Sequence, residues 1–170
     1  MVLDFAREAI QNVTTHSINF DELKAGKANI KVIGCGGCGA NMVTWLFNKG
    51  IEGATVYAAN TDDLHLSVAK ADEKLLIGKE LTRGLGAGGR PKVGREAAKE
   101  AVVDLKKAVG GADMVFVLCG MGGGTGTGAA PVVAQLAKET GAVVIGVVTM
   151  PFESEKARIE KAEWGLQELR

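Results

Sequence analysis

Nine consecutive residues, Gly120-Met121-Gly122-Gly123-Gly124-Thr125-Gly126-Thr127-Gly128, contain six glycines. Each ordered glycine loses up to ~1 kcal/mol of backbone entropy relative to alanine, so close packing alone does not account for such a run. A curl of main-chain N–H groups does. Hydrogen bonds to a charged group are worth roughly 1.5–3 kcal/mol each, and three or four of them can replace a lysine. Thr125 and Thr127 add hydroxyl donors, and the chemistry indicated is the binding of a phosphate group.

A second cluster, Gly34-Cys35-Gly36-Gly37-Cys38-Gly39-Ala40-Asn41, satisfies G-x-G-x-x-G through Gly34, Gly36 and Gly39. It follows an apolar run and opens an amphipathic one. In that setting a tight turn brings backbone close to phosphate at a helix N-terminus. The bland reading, a glycine required only for close helix–strand packing, retains some weight. A third segment, Gly84-Leu85-Gly86-Ala87-Gly88-Gly89-Arg90-Pro91, also leads into a helix start and is placed to close over a terminal phosphate. The turn Asn60-Thr61-Asp62 shares that rim, although a plain helix cap explains it nearly as well.

Other chemistries fare worse. No G-x-x-x-x-G-K-[ST] occurs, which excludes a P-loop. Cys35 and Cys38 form C-x-x-C inside the glycine loop, but no second pair exists for a zinc site, and Cys119 ends an apolar run as a small buried residue would. His16 and His65 lack any visible acid–base partner and read as surface or capping residues. The competing functional reading is an NAD(P)-dependent oxidoreductase, resting on Gly34, Gly36 and Gly39 with Asp62 or Asp63 as ribose partner. Dinucleotide binding needs one glycine loop rather than three, and the second strand ends in Asn60 rather than in an acid.

The elements that must position these loops follow from periodicity. Strands are expected over 30–33, 54–59, 74–77, 113–119 and 142–149, and helices over 40–48, 62–69, 91–109, 128–139 and 154 onward. Alternation of the two gives an α/β fold, a doubly wound and mostly parallel sheet of order 3-2-1-4-5. In that order strands one and four are neighbours, and both principal loops face one crevice. The apolar runs Val115 to Leu118 and Val143 to Ile145 read as central strands covered on both faces. Gly50, Gly110 and Gly141 stand where helix-ending glycines belong, and Pro91 and Pro131 fall in first turns. Leu3, Ala6, Ile10 and Val13 mark an N-terminal helical extension over residues 1–28, preceding a domain over 29–170. The final amphipathic segment stops with Leu166 and Leu169 still in phase and no terminator, so the chain reads as cut rather than finished.

Composition narrows the classes further. Of 170 residues 24 are glycine, about twice the usual share, and 46% are hydrophobic, enough for a packed core. Twenty basic and twenty acidic residues cancel, which argues against nucleic acid or a membrane surface as the main partner. The apolar stretch from Ala142 to Met150 is far short of the ~18 residues of a bilayer span. Asp4, Arg7 and Glu8 interrupt any secretory signal, and an odd cysteine count fits a reducing compartment, so the cytoplasm is the expected location.

The stretch from Gly120 through Ala129-Ala130-Pro131 resembles the signature loop of the tubulin/FtsZ family in its FtsZ form. The likeness extends through Gly34 to Asn41, Ala58 to Asp62, Leu85 to Gly88 and Thr149-Met150-Pro151-Phe152, with a lean toward archaeal members. The resemblance implies a GTP- or GDP-binding subunit of the filament that builds the division ring, located at the division site. Gly36, Gly37, Cys38, Gly39 and Ala40 would hold the diphosphate, with Asn41 near the guanine. Gly122, Gly123, Gly124, Thr125, Gly126 and Thr127 would cradle the α- and β-phosphates, and Ala87, Gly88 and Gly89 would sense the γ-phosphate. Glu155 would take the ribose. Arg158 would assist, although the family's Pro-Phe-x-x-Glu-Gly-x-x-Arg is here one residue shorter and without its glycine, which shifts the ribose clamp. Guanine specificity rests on the resemblance, because there is no N-K-x-D reader. Mg2+ would be held through phosphates and water, with no metal ligand in the chain. The resemblance implies head-to-tail self-assembly, division-ring accessory partners and hydrolysis completed at the subunit interface, so no residue here is assigned as the catalytic base.

Overall fold

Residues 28–170 are described by the structure, a computed structural model. The helical extension expected over 1–28 lies outside the described residues, apart from Ala28. Five strands, β1 (Ile30–Cys35), β2 (Ala54–Asn60), β3 (Glu73–Leu76), β4 (Met114–Gly120) and β5 (Val143–Thr149), form one sheet of order β3-β2-β1-β4-β5. Every pairing is parallel, as the alternation of strand and helix requires. The helices are α1 (Gly36–Lys49), α2 (Asp63–Val68), α3 (Lys79–Thr82), α4 (Pro91–Glu100), α5 (Val102–Val109), α6 (Thr125–Glu139) and α7 (Lys156–Leu169), the last preceded by a 3-10 turn, Glu153–Glu155.

The period-two alternation of β1 sends its side chains into two cores. Ile33 and Cys35 join Val115, Val117 and Cys119 beneath α4 to α7, where Ala97, Leu105, Val133 and Ala162 close the layer. Val32 turns to the other face with Val56, Ala58 and Leu118, covered by Ala40 and Val43 of α1 and Leu66 of α2. Cys35 pairs with Ala59 on one side and Cys119 on the other, so β1, β2 and β4 end nearly level and release their loops along one edge.

Several expectations are corrected. The apolar run of β5 does not mark a central strand: β5 is the edge, with Val143 57%, Ile145 37% and Val147 44% exposed. Apolarity records that a face is suited to burial, not which neighbour covers it, and among the described residues only one face of β5 is covered. The helix expected over 91–109 is two helices. Ala101 (φ −93°, ψ 18°) breaks it, and Ala101 and Val102 then pack on the core. α1 and α6 begin at Gly36 and Thr125, several residues early, because the glycine loops wind directly into them. Pro131 therefore sits inside α6 rather than in its first turn. Gly110 is not left-handed (φ −59°); Gly111 (φ 67°) takes that role. α3 had no periodic signal, being one turn long between left-handed Gly78 and Arg83.

Candidate functional site

Level strand ends bring the first two glycine loops into backbone contact. Gly36 adopts φ 72°, and a Cβ there would lie 2.6 Å from the Gly126 nitrogen. A Cβ on Gly126 would lie 2.9 Å from the Gly120 carbonyl oxygen and 3.0 Å from that of Cys35. Gly39 backs onto the Leu118 carbonyl, where a Cβ would collide. These glycines answer to packing as well as to any ligand: without them the two helix N-termini could not stand side by side.

The convergence leaves an open cleft of about 550 Å3 lined by Cys35, Gly37, Cys38, Gly120, Met121, Gly123 to Gly126, Thr149 to Phe152, Glu155 and Arg158. Of the residues singled out in the sequence, Gly37, Cys38, Gly123, Gly124, Thr125, Gly126, Glu155 and Arg158 therefore meet at one surface. Gly36, Gly39 and Ala40 are buried behind it, and Asn41 is exposed on α1 outside the lining. Gly122 (φ 92°) is backed by Arg158, whose carbonyl oxygen would be 2.9 Å from an added Cβ. Thr127 is fully buried with its methyl against Gly165, and its Oγ1 has no hydrogen-bond partner among the described residues. Ala87, Gly88 and Gly89 do not line the cleft but abut its wall: a Cβ on Gly124 would sit 2.9 Å from the Ala87 Cβ and 3.2 Å from the Gly89 nitrogen.

The Gly120–Gly128 loop is tied to the Asn60–Asp62 turn by a buried hydrogen bond of 2.6 Å between the Thr61 and Thr125 hydroxyls. Asp62 caps α2 by accepting the His65 N–H at 2.9 Å, the plain-cap role. The His65 ring lies 3.4 Å from Asn60 Nδ2 and faces Gly37. Sequence reasoning missed the wall supplied by Thr149, Met150 and Phe152, and the crossing glycines Gly94, Gly128 and Gly165. The motif Thr149 to Phe152 was legible as a pattern; its place in the wall depends on β5 ending beside β4.

Among the described residues the one cation lining the cleft, Arg158, is committed to Glu155 at 2.9 Å, and Glu155 also accepts the Phe152 N–H at 3.3 Å. Burial, reinforced by the neighbouring Cys119, pushes the Cys35 thiol far up, and burial with Cys38 nearby pushes Cys119 up to about 12. Both therefore stay protonated, while Cys38 is exposed with its Sγ 3.5 Å from Thr149 Oγ1. Among the described residues no group of three His, Cys, Asp or Glu converges to hold a metal. The cleft thus joins the ends of two glycine loops to the Arg158–Glu155 ion pair.

The family model for the Tubulin/FtsZ family, GTPase domain, matches residues 29–170. The chain is 51% identical over 169 residues to Cell division protein FtsZ 2 of Methanocaldococcus jannaschii, spanning 99% of itself and 44% of that protein. It is 59% identical over 145 residues to Cell division protein FtsZ 1 of Archaeoglobus fulgidus, spanning 85% and 39%. Among solved structures, the empty FtsZ dimer of M. jannaschii superposes with a TM-score of 0.85 at 55% identity, covering 88% of this chain and 44% of that one. The GTPγS-bound CetZ2 protofilament protein of Haloferax volcanii gives 0.74 at 26%, covering 83% and 46%. The chain thus spans less than half the length of the relatives it matches.

Proposed function

Since the chain belongs to the Tubulin/FtsZ family of GTPases, we propose that it is the guanine-nucleotide-binding part of a filament subunit acting in cell division. The observation that carries this reading is the meeting of residues 34–41 and 120–128 at one cleft, where Arg158 is the one lining cation among the described residues. Gly37 and Cys38 approach the diphosphate, and Gly123 to Gly126 wrap the α- and β-phosphates. The turn at Ala87 to Gly89 lies where a terminal phosphate ends. Glu155 and Arg158 clasp the ribose, with Asn41 toward the base. Gly36, Gly39, Ala40, Gly122 and Thr127 act from behind by setting the loop path.

Amides fixed before the ligand arrives cost no reorganisation as charge develops on transferring oxygens. With no converging protein ligand set among the described residues, the cleft suits Mg2+ held through phosphate oxygens and water, where it would neutralise phosphate charge. Among the described residues the one carboxylate lining the cleft is Glu155, and it is engaged by Arg158 and the Phe152 N–H. Hydrolysis is then a property of head-to-tail contact, with carboxylates from a neighbouring subunit directing water at the terminal phosphate. The FtsZ dimer of M. jannaschii and the CetZ2 protofilament of H. volcanii support self-association. A dinucleotide-binding role is disfavoured because β2 ends in buried Asn60, and the next acid, Asp62, caps α2.

The test is a thermal-shift panel of GTP, GDP, ATP and NAD on the chain, with phosphate release measured alongside. The expected result is a shift with GTP and GDP exceeding that with NAD, and hydrolysis close to background. A larger shift with NAD, or no shift with any of the four, overturns the reading; robust turnover by the isolated chain overturns the interface mechanism.

A further inference from the structure

The third glycine segment is held by backbone hydrogen bonds and by one side chain that reaches it from α7. The Gly86 N–H donates to the Thr61 carbonyl at 3.0 Å, and the Arg90 N–H donates to the Ala87 carbonyl at 3.1 Å. Lys161 Nζ, 72 residues away on α7, donates to the Gly89 carbonyl at 2.9 Å. Gly88 (φ 57°) and Gly89 (φ 67°) are both left-handed, which with the Ala87–Arg90 bond makes a tight turn of the I′ kind. The Gly88 and Gly89 N–H groups find no acceptor among the described residues, and both residues are exposed.

The Gly89 carbonyl and the Arg90 N–H belong to one planar peptide unit. Lys161 therefore grips from one side the unit that Ala87 grips from the other, and the orientation of the whole turn follows. Its helix also touches the rest of the site at successive turns. Arg158 backs Gly122, and Gly165 sits against Thr127 and Met121 Sδ. Lys161, itself exposed, lines a shallow apolar hollow with Pro91 and Trp164.

We infer that Lys161 is a positioning residue: it locks the Ala87–Arg90 turn so that the two unpaired glycine amides stay presented to the terminal phosphate of a nucleoside triphosphate. The inference rests on the proposed nucleotide-binding function. It adds that discrimination between triphosphate and diphosphate depends on a side chain that touches neither, and that α7 links the ribose clasp to the terminal-phosphate turn.

The experiment compares the wild-type chain with Lys161→Met, which keeps the stem, and Lys161→Arg, which keeps a cationic donor. Affinities for GTP and GDP are measured by calorimetry, and amide exchange is followed across residues 84–91. Lys161→Met should weaken GTP roughly 3- to 10-fold while leaving GDP within about twofold, the loss expected of one charge-assisted hydrogen bond acting at a distance. Exchange at 84–91 should quicken, and Lys161→Arg should restore both. Equal effects on the two nucleotides, no effect on either, or unchanged exchange at 84–91 overturns the inference. A wild-type chain that binds no GTP refutes the proposed function instead; exchange in Lys161→Met then still decides whether Lys161 holds the turn.

Discussion

Replacing Gly128 by alanine should destabilise the fold far more than an ordinary helix substitution, because α4 and α6 cross through paired glycines. A Cβ on Gly128 would collide with the Pro91 carbonyl oxygen and lie 2.6 Å from the Arg95 nitrogen and 3.0 Å from the Gly94 carbonyl carbon. Gly94 reciprocates: its Cβ would strike the Gly124 carbonyl and sit 2.9 Å from the Thr125 Cα. Every one of these neighbours is backbone, so no rotamer can yield and the helices must separate by about 1 Å to reach ordinary contact. Overpacking costs about 1–3 kcal/mol and sometimes more, and backbone neighbours place this site at the upper end. Alanine's better helix propensity returns ~1 kcal/mol. The net is a loss of about 2 kcal/mol, or a Tm lower by roughly 4–8 °C in a chain of this size. Gly123→Ala is the control. It has nothing within 4 Å of an added Cβ and is not left-handed, so its stability should stay within about 0.5 kcal/mol of wild type. Because Gly123 lines the cleft, its nucleotide affinity should nevertheless fall. Thermal melts followed by circular dichroism, without ligand, read both. A Gly128→Ala midpoint within about 2 °C of wild type would refute the crossing as the reason for that glycine.

Thr61→Val and Thr125→Val each leave the other hydroxyl of a 2.6 Å pair stranded, so each should cost about 1–3 kcal/mol in urea unfolding. The double variant should lose clearly less than the sum; strict additivity would show that the hydroxyls do not interact. Iodoacetamide at neutral pH should label one of the three cysteines in the folded chain, Cys38, with nucleotide protecting it, and all three once unfolded; native modification of Cys35 or Cys119 contradicts their burial. Cys119 keeps its proton up to about 12 when folded, whereas an ordinary thiol loses it near 9.0, so between those values the unfolded chain binds fewer protons. Stability should therefore decline as pH rises from 9 toward 12, by at most ~1.4 kcal/mol per unit from this group, and Cys119→Ala should flatten the slope. A slope unchanged by that substitution would assign the decline elsewhere.

The fold was legible because its signals are local. Apolar runs of strand length alternate with amphipathic segments, and a parallel sheet is the arrangement that covers both faces of such strands. The usual doubly wound order, taken for those segments, puts both long glycine loops on one edge, and the sheet has that order. What failed was equally local in origin. Val143 to Ile145 carry the same apolar signal as Val115 to Leu118, yet one run is the edge and the other lies inside the sheet. The break at Ala101 has no glycine or proline to announce it, only the pull of the core on Ala101 and Val102.

By itself the amino-acid order determined that glycine-rich segments stand at three places, each opening a helix. Tertiary structure decided which of those glycines face the cleft and which face another backbone. Gly36 and Gly123 look alike in sequence; one is pressed to 2.6 Å from Gly126 and the other has open space before it. A glycine's local preference is the same in both settings, and only the neighbour that folding brings within contact distance tells a hinge of packing from a surface for a ligand. The grip of Lys161 on Gly89 belongs to the same class, a contact across 72 residues that no periodicity encodes.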